Sequence, residues 1–255
     1  MSRILKLALA VMGAAVFMQA TCGKAKPGEV TPVLKMTITD HVPFHNMGIA
    51  FDGSHYFTIN GGNADNSVVN EYDKSGKFVE SYDFGVDGRA IGYDAGQDRV
   101  YVKGFGEDLL GADFDLESAD TEQEGLFAGE QSSVGFSSDG ALIYELDDGE
   151  VHVYDADEGE ETNSFDIENY SEEESSGYSY AIAASDKFLF VWKNETDVYV
   201  YDLAGKYVTS FELPRAGFGF SLSYCNGMLW TATDADGSTE GADGKWYGYQ
   251  LKGLE

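Results

Sequence analysis

Short segments of alternating apolar and polar residues run through most of the chain, separated by turns rich in glycine and aspartate. This period of two predicts β-strands, because successive side chains of a strand point to opposite faces of its sheet. No helical period of useful length is present after residue 22. The dipeptides Asp52–Gly53, Asp139–Gly140 and Asn226–Gly227 predict tight hairpins, since such turns need residues that accept a positive φ.

The strands recur as a unit repeated five times. Its third strand ends in an aromatic residue, and these aromatics follow one another at spacings of 40 to 48 residues. The third-strand aromatics are Tyr72, Phe114, Tyr154, Tyr201 and Tyr249. The predicted first strands are Gly48–Phe51, Ala90–Tyr93, Val134–Phe136, Tyr180–Ala184 and Phe220–Tyr224. A fourth strand follows most copies, and in the second copy we predict it near Glu122–Phe127.

Four short strands in a unit of this length are typical of a β-propeller blade. The fifth copy ends at Leu251 without a fourth strand, whereas Val33–Thr39 alternates and belongs to no other copy. We therefore predict an all-β fold: a five-bladed β-propeller of four-stranded antiparallel blades, with the N-terminal strand completing the last blade. The propeller domain spans residues 32–255.

Two copies resemble NHL-type propeller repeats. The segments Asn66–Tyr82 and Asp197–Phe211 each contain an apolar strand, an aromatic–Asp pair, a turn with Gly–Lys and a further strand. The resemblance implies the propeller fold. It implies no single function, because one fold carries many activities.

The N-terminus has the pattern of an export signal. Arg3 and Lys6 precede an apolar run, Leu7–Met18, which is too short to span a bilayer. With Cys22 after it, the segment resembles a bacterial lipoprotein signal. The resemblance implies a signal peptide of residues 1–22, lipidation of Cys22, a tether of residues 23–31 and a place in the outer membrane or periplasm. Ordinary secretion is the alternative, and the only expected membrane contact is this lipid anchor.

The net charge of the chain limits which molecules it can bind. The formal net charge is −29, with 45 Asp and Glu against 16 Lys and Arg. Nucleic acids are thereby excluded as partners, because their recognition needs a basic surface. Such a charge favours a soluble, monomeric domain. Several acids recur because turns recur, and we expect their side chains to hydrogen-bond the backbone there.

The strands predicted to line the channel contain no arrangement of side chains that is typical of a catalytic site. The first strands contain no paired carboxylates, which argues against a glycosidase. Among the four histidines, His41 and His45 share one loop, but that spacing alone is a weak zinc signal. Cys225 ends a first strand and is expected to be a small buried residue.

One face of the ring carries the candidate site. Loops that join second to third strands, and fourth strands to the next blade, meet at this top face; the remaining turns form the bottom face. Scarce basic residues are predicted there, either as a local patch for an anionic group or as partners of neighbouring carboxylates. The ligand-binding candidates are His45, Arg89, Lys103, Lys193, Arg215, Trp192 and Trp230.

A second candidate is an acidic loop. Asp234, Asp236 and Glu240 are close in sequence and supply oxygen ligands that suit Ca²⁺. The loop is not an EF-hand, because Thr239 replaces the required glycine and Lys245 the final glutamate. No other cofactor is expected.

The sequence thus favours a non-enzymatic binding or interaction module of the cell envelope, which binds a protein or small ligand on its top face. Two alternatives remain open at this stage. One is a propeller enzyme, either a lyase or a lactonase-like hydrolase. The other is a calcium-stabilised surface protein.

Overall fold

The structure is a computed structural model that describes residues 29–40, 45–62, 67–83, 85–112, 120–171, 173, 175, 178, 180–233 and 244–254. Twenty strands form five four-stranded antiparallel sheets within these residues. The predicted all-β, five-bladed propeller is therefore confirmed. None of the described residues forms a helix of the length and apolarity needed to cross a membrane.

The first three blades follow the chain in order, and each runs from an inner strand at the channel to an outer strand at the rim. Blade 1 consists of β2 (Asn46–Phe51), β3 (His55–Asn60), β4 (Val68–Asp73) and β5 (Phe78–Asp83). Blade 2 consists of β6 (Gly88–Asp94), β7 (Arg99–Gly104), β8 (Leu109–Ala112) and β9 (Asp120–Gln123). Blade 3 consists of β10 (Gly135–Phe136), β11 (Leu142–Asp147), β12 (Glu150–Asp155) and β13 (Glu160–Asp166).

The last two blades complete the ring, and blade 5 takes its outer strand from the N-terminal part of the chain. Blade 4 consists of β14 (Ile182–Ala184), β15 (Phe188–Trp192), β16 (Asp197–Asp202) and β17 (Tyr207–Glu212). Blade 5 consists of β18 (Leu222–Cys225), β19 (Met228–Thr233), β20 (Gly244–Lys252) and β1 (Thr31–Asp40).

Ring closure by β1 confirms the predicted strand exchange. β1 pairs antiparallel with β20 from Thr31 opposite Lys252 to Asp40 opposite Gly244. The outer edge of β20 is thereby covered, which removes an exposed edge that would invite aggregation.

A buried carboxylate joins this closing strand to the first blade. Asp40, at the end of β1, is fully buried. Its Oδ2 accepts hydrogen bonds from Asn46 Nδ2 at 2.8 Å and from Trp246 Nε1 at 2.9 Å. Its Oδ1 accepts hydrogen bonds from Asn70 Nδ2 at 2.8 Å and from the Tyr72 hydroxyl at 2.6 Å. Donors from blades 1 and 5 thus converge on one side chain.

The hydrophobic core consists of five layers, one between each pair of neighbouring blades. Trp192 of blade 4 packs in the same layer as Tyr249 of blade 5. Trp230 of blade 5 packs in the same layer as Tyr72 of blade 1. Each blade therefore buries its two faces only against two neighbours, so the core depends on the complete ring.

Glycines let the inner strands approach one another around the channel. A methyl group at Gly92 would overlap the Phe136 ring of the next blade. A Cβ atom at Gly135 would lie 2.8 Å from the carbonyl oxygen of Ile182. The small residues of the inner strands are thus required by the narrow centre of the ring.

The recurring turn acids bond the backbone as expected. Asp52 accepts hydrogen bonds from the amides of Ser54 and His55. Asp202 accepts them from the amides of Ala204 and Lys206, each at 3.0 Å. At Asn226–Gly227 both residues have positive φ, as a tight hairpin requires.

The register of the second copy was predicted wrongly. The third strand ends at Ala112, which pairs with Val100, just as Tyr72 pairs with Tyr56 in blade 1. Ala112 therefore occupies the place that was assigned to Phe114, which lies outside the described residues. The shift of two residues leaves the same side chains on the same faces, because strand side chains alternate with a period of two, and Leu109 and Ala112 are both buried in the observed register.

Other strand boundaries also differ from the prediction. The fourth strand of blade 2 ends at Gln123, while Phe127 packs edge-on against Tyr154 in a loop. The inner strands of blades 4 and 5 begin at Ile182 and Leu222, two residues later than predicted. Apolar side chains extend beyond these strands into loops that are themselves packed.

Replacing Asp40 by asparagine tests the link between blades 5 and 1. An amide group in place of one oxygen leaves at least one buried donor without an acceptor, so we expect a loss of about 3 kcal/mol in unfolding free energy. Urea denaturation measures this loss. Asp83→Asn, at an exposed site on β5, is the control and should change stability by less than about 0.5 kcal/mol. Equal stability of the two variants would contradict the role of Asp40.

Candidate functional site

Ser133, which precedes β10, is buried near the top face and contacts the three neighbouring blades. Its Oγ lies 2.9 Å from the carbonyl oxygen of Arg89 and 3.1 Å from that of Phe220. Its amide donates to Tyr180 O at 2.6 Å, and its carbonyl accepts from the Ile182 amide at 3.1 Å. One buried serine thus links blade 3 to blades 2, 4 and 5 near the top face.

Four rings form a row across this surface, which we call the aromatic row: His45, Phe218, Phe220 and Tyr180. The centroids of His45 and Phe218 lie 5.0 Å apart with nearly parallel planes. Phe218 and Phe220 are 5.5 Å apart, and Phe220 stacks on Tyr180 at 5.1 Å. Tyr180 ends the row with 41% of its surface exposed.

Only part of this row was expected from the sequence. His45 was a candidate, but Tyr180 and Phe220 were assigned to inner strands. They lie in the loops before β14 and β18 because both strands begin two residues later. Their signal in the sequence was a large aromatic placed where the inner strands otherwise have small residues.

The guanidinium group of Arg89 contacts neighbouring groups at the start of blade 2. Its Nη1 lies 2.6 Å from Asp87 Oδ1 and 2.9 Å from the Gly88 carbonyl oxygen. The guanidinium also lies 5.4 Å from the centre of the Phe105 ring. Arg89 is 8% exposed, whereas Phe105 is 49% exposed. Arg89 thus supports a solvent-facing aromatic ring.

Lys103 lies fully buried on β7 and connects two loops. Its Nζ donates to the carbonyl of Gly106 at 2.8 Å and to that of Glu130 at 3.2 Å. It also lies 5.3 Å from the Phe127 ring centre. Burial, opposed by the charge of Glu145, lowers the pKa of Lys103 to about 8. The ammonium group is thus held by backbone carbonyls.

Glu145 on β11 is the buried carboxylate near this lysine. It accepts hydrogen bonds from the amides of Ala128 and Gly129 at 2.9 and 3.0 Å. The hydroxyls of Ser132 and Tyr154 donate to it as well. The carboxylate resembles Asp40 in being fully buried with four donors, so its contacts hold a loop in place.

The other candidates are distributed around the ring. Lys193 Nζ lies 5.5 Å from the ring centre of Tyr199, and the guanidinium of Arg215 lies 4.9 Å from that of Tyr247. Trp192 and Trp230 are fully buried in two different interblade layers. Of the basic candidates, Arg89 and Lys103 lie near one another, since the charge of Arg89 contributes to the lowered pKa of Lys103.

A small cavity adjoins the exposed end of the aromatic row. It measures about 280 Å³ and is lined by Tyr180 and by the acidic residues Glu130, Asp147 and Asp148. No basic residue lines it. This part of the top face therefore favours a positively charged group.

The metal and lipidation candidates lie elsewhere. Asp234, Asp236, Glu240 and Cys22 are outside the described residues. Within the described part of the chain, no group of three or more His, Cys, Asp or Glu residues is placed to hold a metal ion. Cys225 ends β18 as expected, but it is partly rather than fully buried. Its burial raises the pKa of the thiol.

Comparison with known proteins supports the fold. No protein-family model matches the sequence, and no curated protein matches it either. The structure is similar to the crystal structure of glutaminyl cyclase from Myxococcus xanthus, with a TM-score of 0.60 and 11% sequence identity. The match covers 89% of this chain and 98% of that one. At this identity the similarity shows a shared propeller fold.

The buried ammonium group predicts an unusual pH dependence. Between about pH 8 and about pH 10 the folded protein has released the Lys103 proton, whereas the unfolded chain still binds one. Unfolding free energy should therefore rise across this window, by about 2 kcal/mol. The variant Lys103→Met should lack this rise. The unfolding free energy of the wild type minus that of the variant, measured by urea denaturation, should therefore increase with pH. A constant difference would contradict the assignment.

Proposed function

We propose that the protein is an exported, non-catalytic binding module whose top face binds a protein or small ligand. The observation that carries the proposal is the pair of exposed aromatic side chains, Phe105 and Tyr180, on a rigidly packed surface. Aromatic residues of this kind are enriched at the energetic centres of interfaces, because they bury large areas with little loss of rotamer freedom.

The state of the ionisable groups favours binding over catalysis. Lys103 and Glu145 are each engaged in several hydrogen bonds to loop groups. Arg89 is paired with Asp87. These charges preserve the shape of the surface, whereas a general acid or base would need a proton exposed to a bound substrate.

Charge suggests the chemistry of the ligand. The cavity beside Tyr180 is lined by three carboxylates, and the whole chain carries a net charge of −29. A ligand with a basic group next to an apolar or aromatic one would match both features. A basic segment of a partner protein meets that description.

The direction of β1 fits a tethered protein. β1 begins at Thr31, opposite Lys252, on the bottom face, and it ends at the top face. A lipid anchor at Cys22, with residues 23–31 as its tether, would approach the domain from below. The top face would then point away from the membrane, towards possible partners.

An enzyme remains the alternative function. The fold matches almost the entire length of a glutaminyl cyclase. We nevertheless expect no cyclisation of a peptide that begins with glutamine, as measured by mass spectrometry of the peptide. If the peptide loses ammonia faster with the protein than without it, and a top-face variant abolishes this reaction, the enzymatic function would replace our proposal.

The calcium-stabilised alternative predicts that EDTA lowers the melting temperature of the protein.

The binding proposal is tested with a surface variant. Phe105→Ser combined with Tyr180→Ser removes both exposed rings, and each lost anchor should weaken binding by about 1–2 kcal/mol. Tagged wild type and variant are cross-linked in the native envelope fraction, and the captured proteins are compared by mass spectrometry.

The matched control is Phe78→Ser, which removes an exposed ring from the outer strand β5. We expect wild type and control to capture the same stoichiometric partner and the double variant to lose it. Capture that is equal for all three proteins, or absent with folded wild type, would count against a top-face protein interface. Absence would direct the search to small ligands.

A further inference from the structure

A cavity formed by described residues opens on the bottom face, opposite the site proposed above. It measures about 350 Å³ and lies within the inner strands of blades 1, 2, 3 and 5 and the turns that follow them. Ser133, which contacts the carbonyl oxygens of Arg89 and Phe220 near the top face, is not among the lining residues of this cavity. Its volume lies within the range of small-ligand sites.

Four aromatic side chains occupy equivalent positions around this pocket. Each pairs with the second residue of the adjacent strand, as Phe51 does with Tyr56 and Tyr224 with Leu229. In blade 4 the same position is occupied by Ala184, opposite Leu189. The aromatic lining residues, which we call the pocket aromatics, are Phe51, Tyr93, Phe136 and Tyr224.

The electrostatics of the pocket favour a cation. Asp52 is among its lining residues, and no Lys, Arg or His is. Burial, a hydrogen bond to Asp98 and the charges of Asp52 and Asp94 raise the pKa of Tyr93 to about 12. Burial and then the charge of Asp186 raise the pKa of Tyr224. Negative charge therefore reaches the pocket from the turns of several blades.

Two basic residues lie near the pocket without lining it: His55 Nδ1 is 3.7 Å from Asp52 Oδ2, and Lys187 lines a neighbouring cavity of about 300 Å³. It shares Tyr224 and Gly227 with the pocket and is lined by both Asp186 and Lys187. Lys187 thus faces a different space and has a carboxylate beside it. The main pocket keeps its cation preference.

A metal ion does not match these walls. The lining includes one carboxylate, and among the described residues no group of three metal-ligating side chains occurs. Much of the wall is apolar, with Ile49, Ile91 and Val134 beside the pocket aromatics. Of the polar side chains in the lining, those of Ser137, Ser223 and Asn226 already hydrogen-bond to protein groups. An ammonium group that carries several N–H donors would therefore leave some of them unpaired, at a cost. An alkylated ammonium group has no such donors and is attracted by aromatic rings.

We propose that the bottom-face pocket binds a small organic cation with a quaternary ammonium head group. The pocket aromatics contact this head group, and the carboxylate of Asp52 attracts it. This site is separate from the top-face interface. The same head group occurs in free solutes and in lipids, and the two sources are distinguished by comparing a free probe with vesicles that display it.

Calorimetric titration with choline tests the proposal on the purified protein. The matched probe is the neutral alcohol in which a tert-butyl group replaces trimethylammonium, since it has the same shape without the charge. We expect choline to bind about tenfold more tightly than this alcohol. Equal affinities, or no binding of choline at low ionic strength, would overturn the proposal.

Two variants locate the binding. Tyr93→Leu removes one ring and Asp52→Asn removes the lining charge, and each should weaken choline binding by about threefold to tenfold. Asparagine keeps the oxygen that accepts the turn amides of Ser54 and His55, so Asp52→Asn remains informative if Tyr93→Leu fails to fold. Phe78→Leu on β5 is the control and should bind choline like wild type.

The source of the head group is read from sedimentation with vesicles. If phosphatidylcholine vesicles sediment the protein and free choline releases it, the pocket accepts a lipid head group. If vesicles have no effect while free choline binds, the ligand is a free solute. Unchanged choline affinity in both Tyr93→Leu and Asp52→Asn would place binding elsewhere and reject the pocket.

Discussion

The structure depends on closing the ring, and the burial of Asp40 is the interaction by which the chain does so. A blade has two apolar faces, so an open circle would leave one face of blade 5 and one face of blade 1 without the layer that they form together. β1 closes it by pairing with β20, and Asp40 then takes donors from Trp246 of blade 5 and from side chains of blade 1. A buried carboxylate is costly unless its oxygens are satisfied, so this group favours the closed arrangement over any partial one.

The same rule explains the top face. Lys103 and Glu145 are buried, and their charges are compensated by carbonyls, amides and hydroxyls of adjacent loops. Scarce basic residues that resemble ligand-binding groups in the sequence are used here for loop architecture. What remains for a partner is the surface that these contacts support, with the exposed rings of Phe105 and Tyr180 and the nearby carboxylates.

Five-fold repetition gives the two faces different chemistry. Bottom-face turns repeat aspartates because their carboxylates bond the turn amides, and these charges surround the channel mouth. Inner-strand ends repeat aromatic residues at one position, except at Ala184. A structural repeat thereby produces an aromatic pocket with an acidic rim, as a consequence of how each blade turns.

Strand number, blade count, the exchange of the N-terminal strand and the capping role of the turn acids were all determined by the sequence, because alternation and turn chemistry are local and repeat five times. Local patterns could not place Ala112 in the position assigned to Phe114, since a register shift of two residues leaves the same side chains on the same faces. Nor could they show that Tyr180 and Phe220 stack across a face, or that Arg89 and Lys103 are enclosed. These features arise between blades, where residues far apart in the chain compete for one narrow centre, and only the tertiary structure decides which side chain is buried and which meets solvent.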